Sequence, residues 1–175
     1  MAAQLRIRAA VAADVPVILG LIRELARFEK LLDQVSATEV DLHRGLFGAR
    51  SYAEALLAEQ DGEPAGFALF FHNFSTFLGR PGLYLEDLYV REPARGHGIG
   101  LALLAQVARI AVERGCPRLD WAVLDWNSGA IDFYERLGAR PEVDWQLYRL
   151  RGDALAQLAR RAVPGKAQDP AEAPE

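Results

Sequence analysis

The stretch "YLEDLYVREPARGHGIGLALL", residues 84–104, sets two kinds of chemistry side by side. Glu86 and Asp87 are adjacent carboxylates inside an apolar run, and a carboxylate can take a proton or hold a cation. Consecutive side chains of a strand point to opposite faces. The two acids therefore serve one face only if a bulge re-aims one of them. A few residues on, Gly96, Gly98 and Gly100 alternate into what reads as a helix start. Glycine lets the backbone come close to a ligand, and the first amides of a helix are unpaired donors at its positive end. Together these suit phosphate.

Two common phosphate-binding patterns compete for the loop, one excluded and the other, that of a dinucleotide-dependent reductase, kept as a rival. A P-loop is excluded, because no Lys-Ser or Lys-Thr pair follows the glycines. A dinucleotide fold would use an acid such as Asp125, at the end of the next strand, to hold a ribose hydroxyl. Against it stand the G-x-G-x-G spacing, the polar segment "REPAR" between strand and glycines, and too little chain afterwards for a doubly wound sheet. Cys116 lies between Gly115 and Pro117 with no evident base beside it and reads as a small buried thiol. As the single cysteine it allows no disulfide within the chain and no cysteine zinc cluster. His43, His72 and His97 lack metal-ligand spacing, so no metal is expected.

Several elements must position these groups. "LRIRAA" (residues 5–10) alternates apolar and basic residues, as a half-buried strand does. Asp14 can cap a helix whose first turn tolerates Pro16, and Ile18, Leu21, Ile22, Leu25, Phe28 and Leu32 follow the helical period. Thr38 and Asp41 have capping-box spacing at the head of a second helix. Two strands flank Asp61-Gly62, a hairpin-turn signal, and the apolar run at 67–71 suggests a strand covered on both faces. After a Gly-Pro break at 79–82 comes the strand 83–90, which carries Glu86 and Asp87. The pattern then predicts a helix over 99–114, a strand over 118–125 and a helix "NSGAIDFYERLGA" that stops at Gly138. A last strand over 145–150 and a short helix over 153–161 complete the order. That order is a mixed α/β domain with antiparallel hairpins early and one parallel crossover late.

A chain of 175 residues suits one filled core better than two. The expected division is one domain over 1–162 and a disordered tail over 163–175, where Pro, Ala, Glu, Lys and Gly dominate. A formal charge of −4 without a basic stripe argues against a nucleic-acid partner and is compatible with a cationic substrate. No run suits a signal peptide or a bilayer span, so a soluble cytoplasmic protein without a membrane partner is the default expectation.

With Arg95 ahead of the glycines, "REPARGHGIGLALL" resembles the pyrophosphate-binding motif of the GNAT family of N-acetyltransferases, Arg/Gln-x-x-Gly-x-Gly/Ala. "YLEDLYV" is similar to that family's central strand, and "WNSGAIDFYERLGA" to its later motif. Together with "LIRELARFEKLLDQV" and the Trp145 segment, these stretches resemble the diamine acetyltransferase branch, which includes spermidine/spermine and thialysine acetyltransferases. The likeness runs from residue 5 to about residue 158.

The resemblance implies an α/β domain whose mixed, mostly antiparallel sheet is flanked by helices, with its central strands splayed. It also implies a homodimeric enzyme that uses acetyl-CoA and no metal, transferring acetyl directly to a primary amine of a small cationic substrate. Such an amine is mostly protonated at neutral pH, so a base is needed. The resemblance makes Glu86 that base, acting through water, and Tyr134 the general acid. Tyr134 shares a helix face with Ile131, so packing alone would also account for it. The backbone of Leu88, Tyr89 and Val90 would pair with the cofactor. Its pyrophosphate would sit over Arg95, Gly96, His97, Gly98, Ile99, Gly100 and Leu101. Asn127 would either bond the cofactor or only cap its helix. Phe28, Glu29, Glu86, Asp87, Asp144 and Trp145 would meet the amine. An acyl-CoA-binding sensor that keeps the fold and lacks turnover is the alternative of a different class.

Overall fold

The computed structural model describes residues 4–163, so the expected tail lies outside the described residues from position 164 onward. The elements are β1 (Leu5–Ala9), α1 (Val15–Phe28), α2 (Glu39–Phe47), β2 (Glu54–Gln60), β3 (Glu63–Ser75) and β4 (Arg80–Val90). They continue with α3 (Ile99–Glu113), β5 (Leu119–Trp121), α4 (Ser128–Arg136) and α5 (Gly152–Ala159). The chain divides into two compact units between Asp125 and Trp126.

The first unit holds one sheet in the order β1-β2-β3-β4-β5. Pairing is antiparallel from β1 to β4, and β4 pairs with β5 in parallel across the α3 crossover. The expected hairpin is present, with Asp61 at φ 54° and Gly62 at φ 88°, the left-handed pair that a tight two-residue turn needs. Ile18 and Leu21 of α1 and Leu46 of α2 pack with Ala55, Leu57, Phe67 and Tyr89 on one face of the sheet. Phe70, Leu83 and Leu85 are buried on the other face, and α3 buries Ile99, Leu103 and Val107. Each such side chain stabilises the fold by about 1.5–3 kcal/mol.

The Thr38–Asp41 capping box forms as expected. Asp41 N donates to Thr38 Oγ1 at 3.2 Å, and Thr38 N donates to Asp41 Oδ2 at 3.1 Å. Asp14 stands at the head of α1 but does not cap it with its side chain. Its carboxylate accepts from Arg8 at 2.6 and 2.9 Å and from the Val11 amide at 2.7 Å. A guanidinium offers a stronger, two-pronged bond than a helix amide does, so Asp14 ties β1 to the entry of α1. The same bond to Arg8 holds the Asp14 carboxyl below the usual carboxylate range.

Two expected element bounds are corrected, and one expected strand is absent. β4 begins at Arg80, inside the expected Gly-Pro break, because its ladder with β3 continues to Arg80 opposite Ser75. Pro81 sits near the start of the strand, where a missing donor does least harm. The strand expected over 118–125 is confined to Leu119–Trp121. Its parallel ladder ends where Trp121 meets Leu85, immediately before β4 bulges and changes course.

The strand expected over 145–150, in the second unit, is absent; the segment has no regular structure. Trp145, Leu147 and Tyr148 are 74%, 77% and 85% exposed. Alternating apolar residues make a strand only where a ladder partner and a half-buried face exist, and no strand among the described residues supplies them. In the same unit α4 ends before Gly138, at φ 91°, as its sequence predicts.

Candidate active site

The bulge that could re-aim one acid exists, and it falls on Glu86. Leu85 lies opposite Phe70 and Asp87 opposite Leu69, so Glu86 has no partner on β3. The extra residue shifts the alternation of the rest of β4. Asp87 and Tyr89 thereby share the face of Leu69 and Phe67, which packs against α1, instead of the opposite face that holds Leu83 and Leu85. Glu86 stays exposed while Asp87 is half-buried.

Glu29, the C-cap residue that follows α1, comes close enough for its charge to act on Asp87. Burial, and after it the negative charges of Glu86 and Glu29, push the Asp87 carboxyl up to about 7. Burial also raises Glu29. Like charges crowded in this way disfavour ionisation of each other, and a cation among them would relieve the repulsion. Among the described residues, no group of three His, Cys, Asp or Glu could hold a metal ion.

β5 pairs only with Leu83–Leu85, so from Glu86 to Val90 the edge of β4 turned away from β3 has no strand partner among the described residues. That is the splay expected of the central strands. An edge without a strand partner is one that an extended ligand can complete through main-chain hydrogen bonds.

Beyond β4, Gly96 has φ 81° and Gly98 has φ 78°, conformations that other residues rarely adopt. A side chain at either position would meet no heavy atom within 4 Å, so the space above them is open. Gly98 is the N-cap of α3 and supplies no side-chain cap to the helix amides behind it. His97 Nδ1 lies 3.3 Å from the Ala94 carbonyl, while Ile99 is buried and Leu101 exposed. These residues fit a pyrophosphate: an uncapped helix start, open space and a backbone able to approach.

The Arg95 side chain turns back from this loop. Its Nε donates to the Val90 carbonyl at 3.0 Å, and its guanidinium lies 4.7 Å from the Phe28 ring centroid and 5.6 Å from that of Tyr89. Sequence reasoning missed a second tether. Arg91 donates to Glu24 of α1 at 3.0–3.2 Å and to the Pro64 carbonyl at 2.8 Å, which fixes the end of β4 to α1 and to the start of β3. The signal available was faint: Glu24 sits within the apolar period of α1, between Leu21 and Leu25.

Four expected site residues belong to the second unit. Asn127 caps α4, its Oδ1 accepting from Ala130 N at 3.3 Å. Tyr134 is half-buried on α4, and burial raises its phenol above the ordinary value. Asp144 and Trp145 lie exposed near a turn in which Trp145 N donates to the Glu142 carbonyl at 3.3 Å.

Comparison with known proteins identifies the family. Residues 21–139 match the model of the acetyltransferase (GNAT) family. The thialysine N-epsilon-acetyltransferase of Bos taurus is 42% identical over 164 residues, covering 87% of this chain and 96% of that one. An L-ornithine N5-acetyltransferase of Arabidopsis thaliana is 36% identical, covering 87% of each chain. Among solved structures, an integron cassette protein from the mobile metagenome of V. cholerae superposes with a TM-score of 0.76 at 31% identity. That match covers 89% of this chain and 98% of the other. On the family match and these identities, the chain belongs to the acetyltransferase (GNAT) family and is an N-acetyltransferase.

Proposed function

We propose that the chain moves the acetyl group of acetyl-CoA to a primary amine of a small diamine, polyamine or lysine-like molecule. The observation that carries this reading is the group of three acids, Glu29, Glu86 and Asp87, with Asp87 raised to about 7 by burial and by its neighbours. An ammonium entering this group replaces repulsion by attraction. The names of the two relatives above, which specify thialysine and L-ornithine, support a cationic side-chain amine as the acceptor.

Acetyl-CoA supplies the activated acetyl group, as a thioester. The amides from Gly96 to Leu101 and the backbone of Leu88, Tyr89 and Val90 hold it. Asp87 and Glu29 hold the incoming ammonium, and Glu86, exposed on the bulge, takes its proton through water. Asp144 and Trp145 add an acidic and aromatic wall. Tyr134 returns a proton to the departing sulfur, and its raised phenol stays protonated at neutral pH, as a donor must. Asn127 holds the start of the helix that carries Tyr134.

A thiolate leaves readily, since a thiol has a pKa of about 8.5, so the proton donor contributes less than the base. Tyr134→Phe is expected to lower kcat about tenfold and to leave the amine KM within about twofold, read by steady-state kinetics. An unchanged kcat would remove Tyr134 from the mechanism.

The family match runs across the division at Asp125, which supports a single N-acetyltransferase domain over 1–162. We take the protein to be a cytoplasmic homodimer with no nucleic-acid or membrane partner. Among the described residues no helix is long and apolar enough to cross a membrane. Mass spectrometry of the products from spermidine, thialysine, lysine, a short diamine and an aminoglycoside tests the substrate class. A single acetyl group is expected on a primary amine of at least one of the first four, and acetylation of the aminoglycoside alone would overturn this reading.

A further inference from the structure

Three elements of the first unit meet at one guanidinium. Phe28 is the last residue of α1, Tyr89 lies near the end of β4, and Arg95 immediately precedes the glycine loop. Arg95 stands 4.7 Å from the Phe28 ring centroid and 5.6 Å from that of Tyr89, while its Nε is fixed on the Val90 carbonyl at 3.0 Å. One face of the Phe28 ring, itself 39% exposed, is therefore covered by a cation of the protein's own. A substrate ammonium on that face would meet a like charge.

The loop that follows needs an anchor. Gly96 and Gly98 both hold positive φ, no side chain caps α3, and residues 95–98 are exposed. Glycine-rich backbone loses more conformational freedom on ordering than any other, so a loop poised for an anion must be held from outside. Arg91 with Glu24 holds one end of the connection, and the stack on Phe28 holds the other.

Resting on the reading of this loop as the pyrophosphate cradle, we propose that Phe28 is a positioning residue for the cofactor loop, acting through Arg95, and not a surface for the amine. α1 then serves both halves of the reaction from adjacent positions. Phe28 steadies the loop, and Glu29 faces the substrate group of acids. Tyrosine at position 28 would keep the aromatic face and thus the function, whereas leucine keeps apolar bulk and loses it.

Two variants and three readouts test this. Phe28→Leu is expected to weaken CoA binding about three- to tenfold by calorimetry, and to leave the amine KM within about twofold. It should also speed amide exchange at residues 96–100 in the free protein. Phe28→Tyr, which keeps the aromatic face, should hold all three readouts at wild-type values, and the split between weakened CoA binding and an unchanged amine KM in Phe28→Leu is what a merely structural role would not produce. A Phe28→Leu protein with a raised amine KM, unchanged CoA affinity and unchanged exchange would overturn the proposal. The exchange measurement needs no cofactor, so an unchanged loop overturns the anchor itself. A wild-type protein that binds no CoA overturns the cradle reading beneath it.

Discussion

Glu86→Gln is expected to lower kcat by about 10²-fold near neutral pH, with the KM for acetyl-CoA within about twofold of wild type. Glutamine preserves size and one acceptor oxygen but cannot hold a proton taken from an ammonium. Glu86 is exposed and lies on the bulge, without a partner on β3, so no core contact is lost. Its replacement should shift stability by no more than about 0.5 kcal/mol. The defect has a second signature. As pH rises toward the pKa of the amine itself, roughly 10, unprotonated substrate becomes available without a base. The ratio of wild-type to variant rates should therefore shrink with pH, measured at saturating acetyl-CoA. A ratio that stays constant up to about pH 10 would mean that Glu86 contributes by some route other than proton removal.

Asp87→Asn should change both substrate affinity and stability, and the two changes have opposite signs. In its proposed role the carboxylate attracts the ammonium, so its loss is expected to raise the amine KM at about pH 8 by about tenfold or more. With Asp87 at about 7 in the free protein, kcat/KM for the amine should fall below that pH as the carboxyl protonates. That acidic limb should disappear from the variant. For stability, a carboxyl raised from its ordinary value of 3.8 to about 7 binds a proton in the native state that the unfolded chain has already released. Stability therefore falls as pH rises through that window and levels off above it. The neutral amide of the variant carries no such penalty. The variant should gain about 2 kcal/mol at about pH 8, below the limit of about 4 kcal/mol for such a shift because the half-buried carboxyl keeps some solvent. Urea midpoints at about pH 4 and about pH 8 read this directly. A variant less stable than wild type at the higher pH would contradict the cluster.

Much of this site is legible in the sequence because its devices are local. Alternating glycines before a helical period announce an uncapped helix start, and Asp61-Gly62 announces its turn. Two adjacent acids in an apolar strand pose the problem that a bulge solves. Where the bulge falls is another matter. It depends on the register against β3, and the same strand could pair without it. β5 illustrates the same limit, since residues 118–125 read as one long strand, but the ladder with β4 stops at Leu85, just before the bulge. The segment 145–150 has a strand's pattern and no ladder. The pairs Arg91–Glu24 and Arg95–Phe28 join side chains far apart in sequence, for which local spacing carries no signal.

The acids of β4 prepare an amine for acylation by a reagent held at the glycine loop, and that proposal stands or falls on turnover. Thiol release from acetyl-CoA, followed with thialysine, lysine, spermidine and a short diamine, puts it to the test. Steady turnover is expected with at least one of these amines, together with at least a tenfold loss in Glu86→Gln. Tight binding of acetyl-CoA with no thiol released by any of them would be the opposite result, and would describe a sensor of the acyl thioester instead.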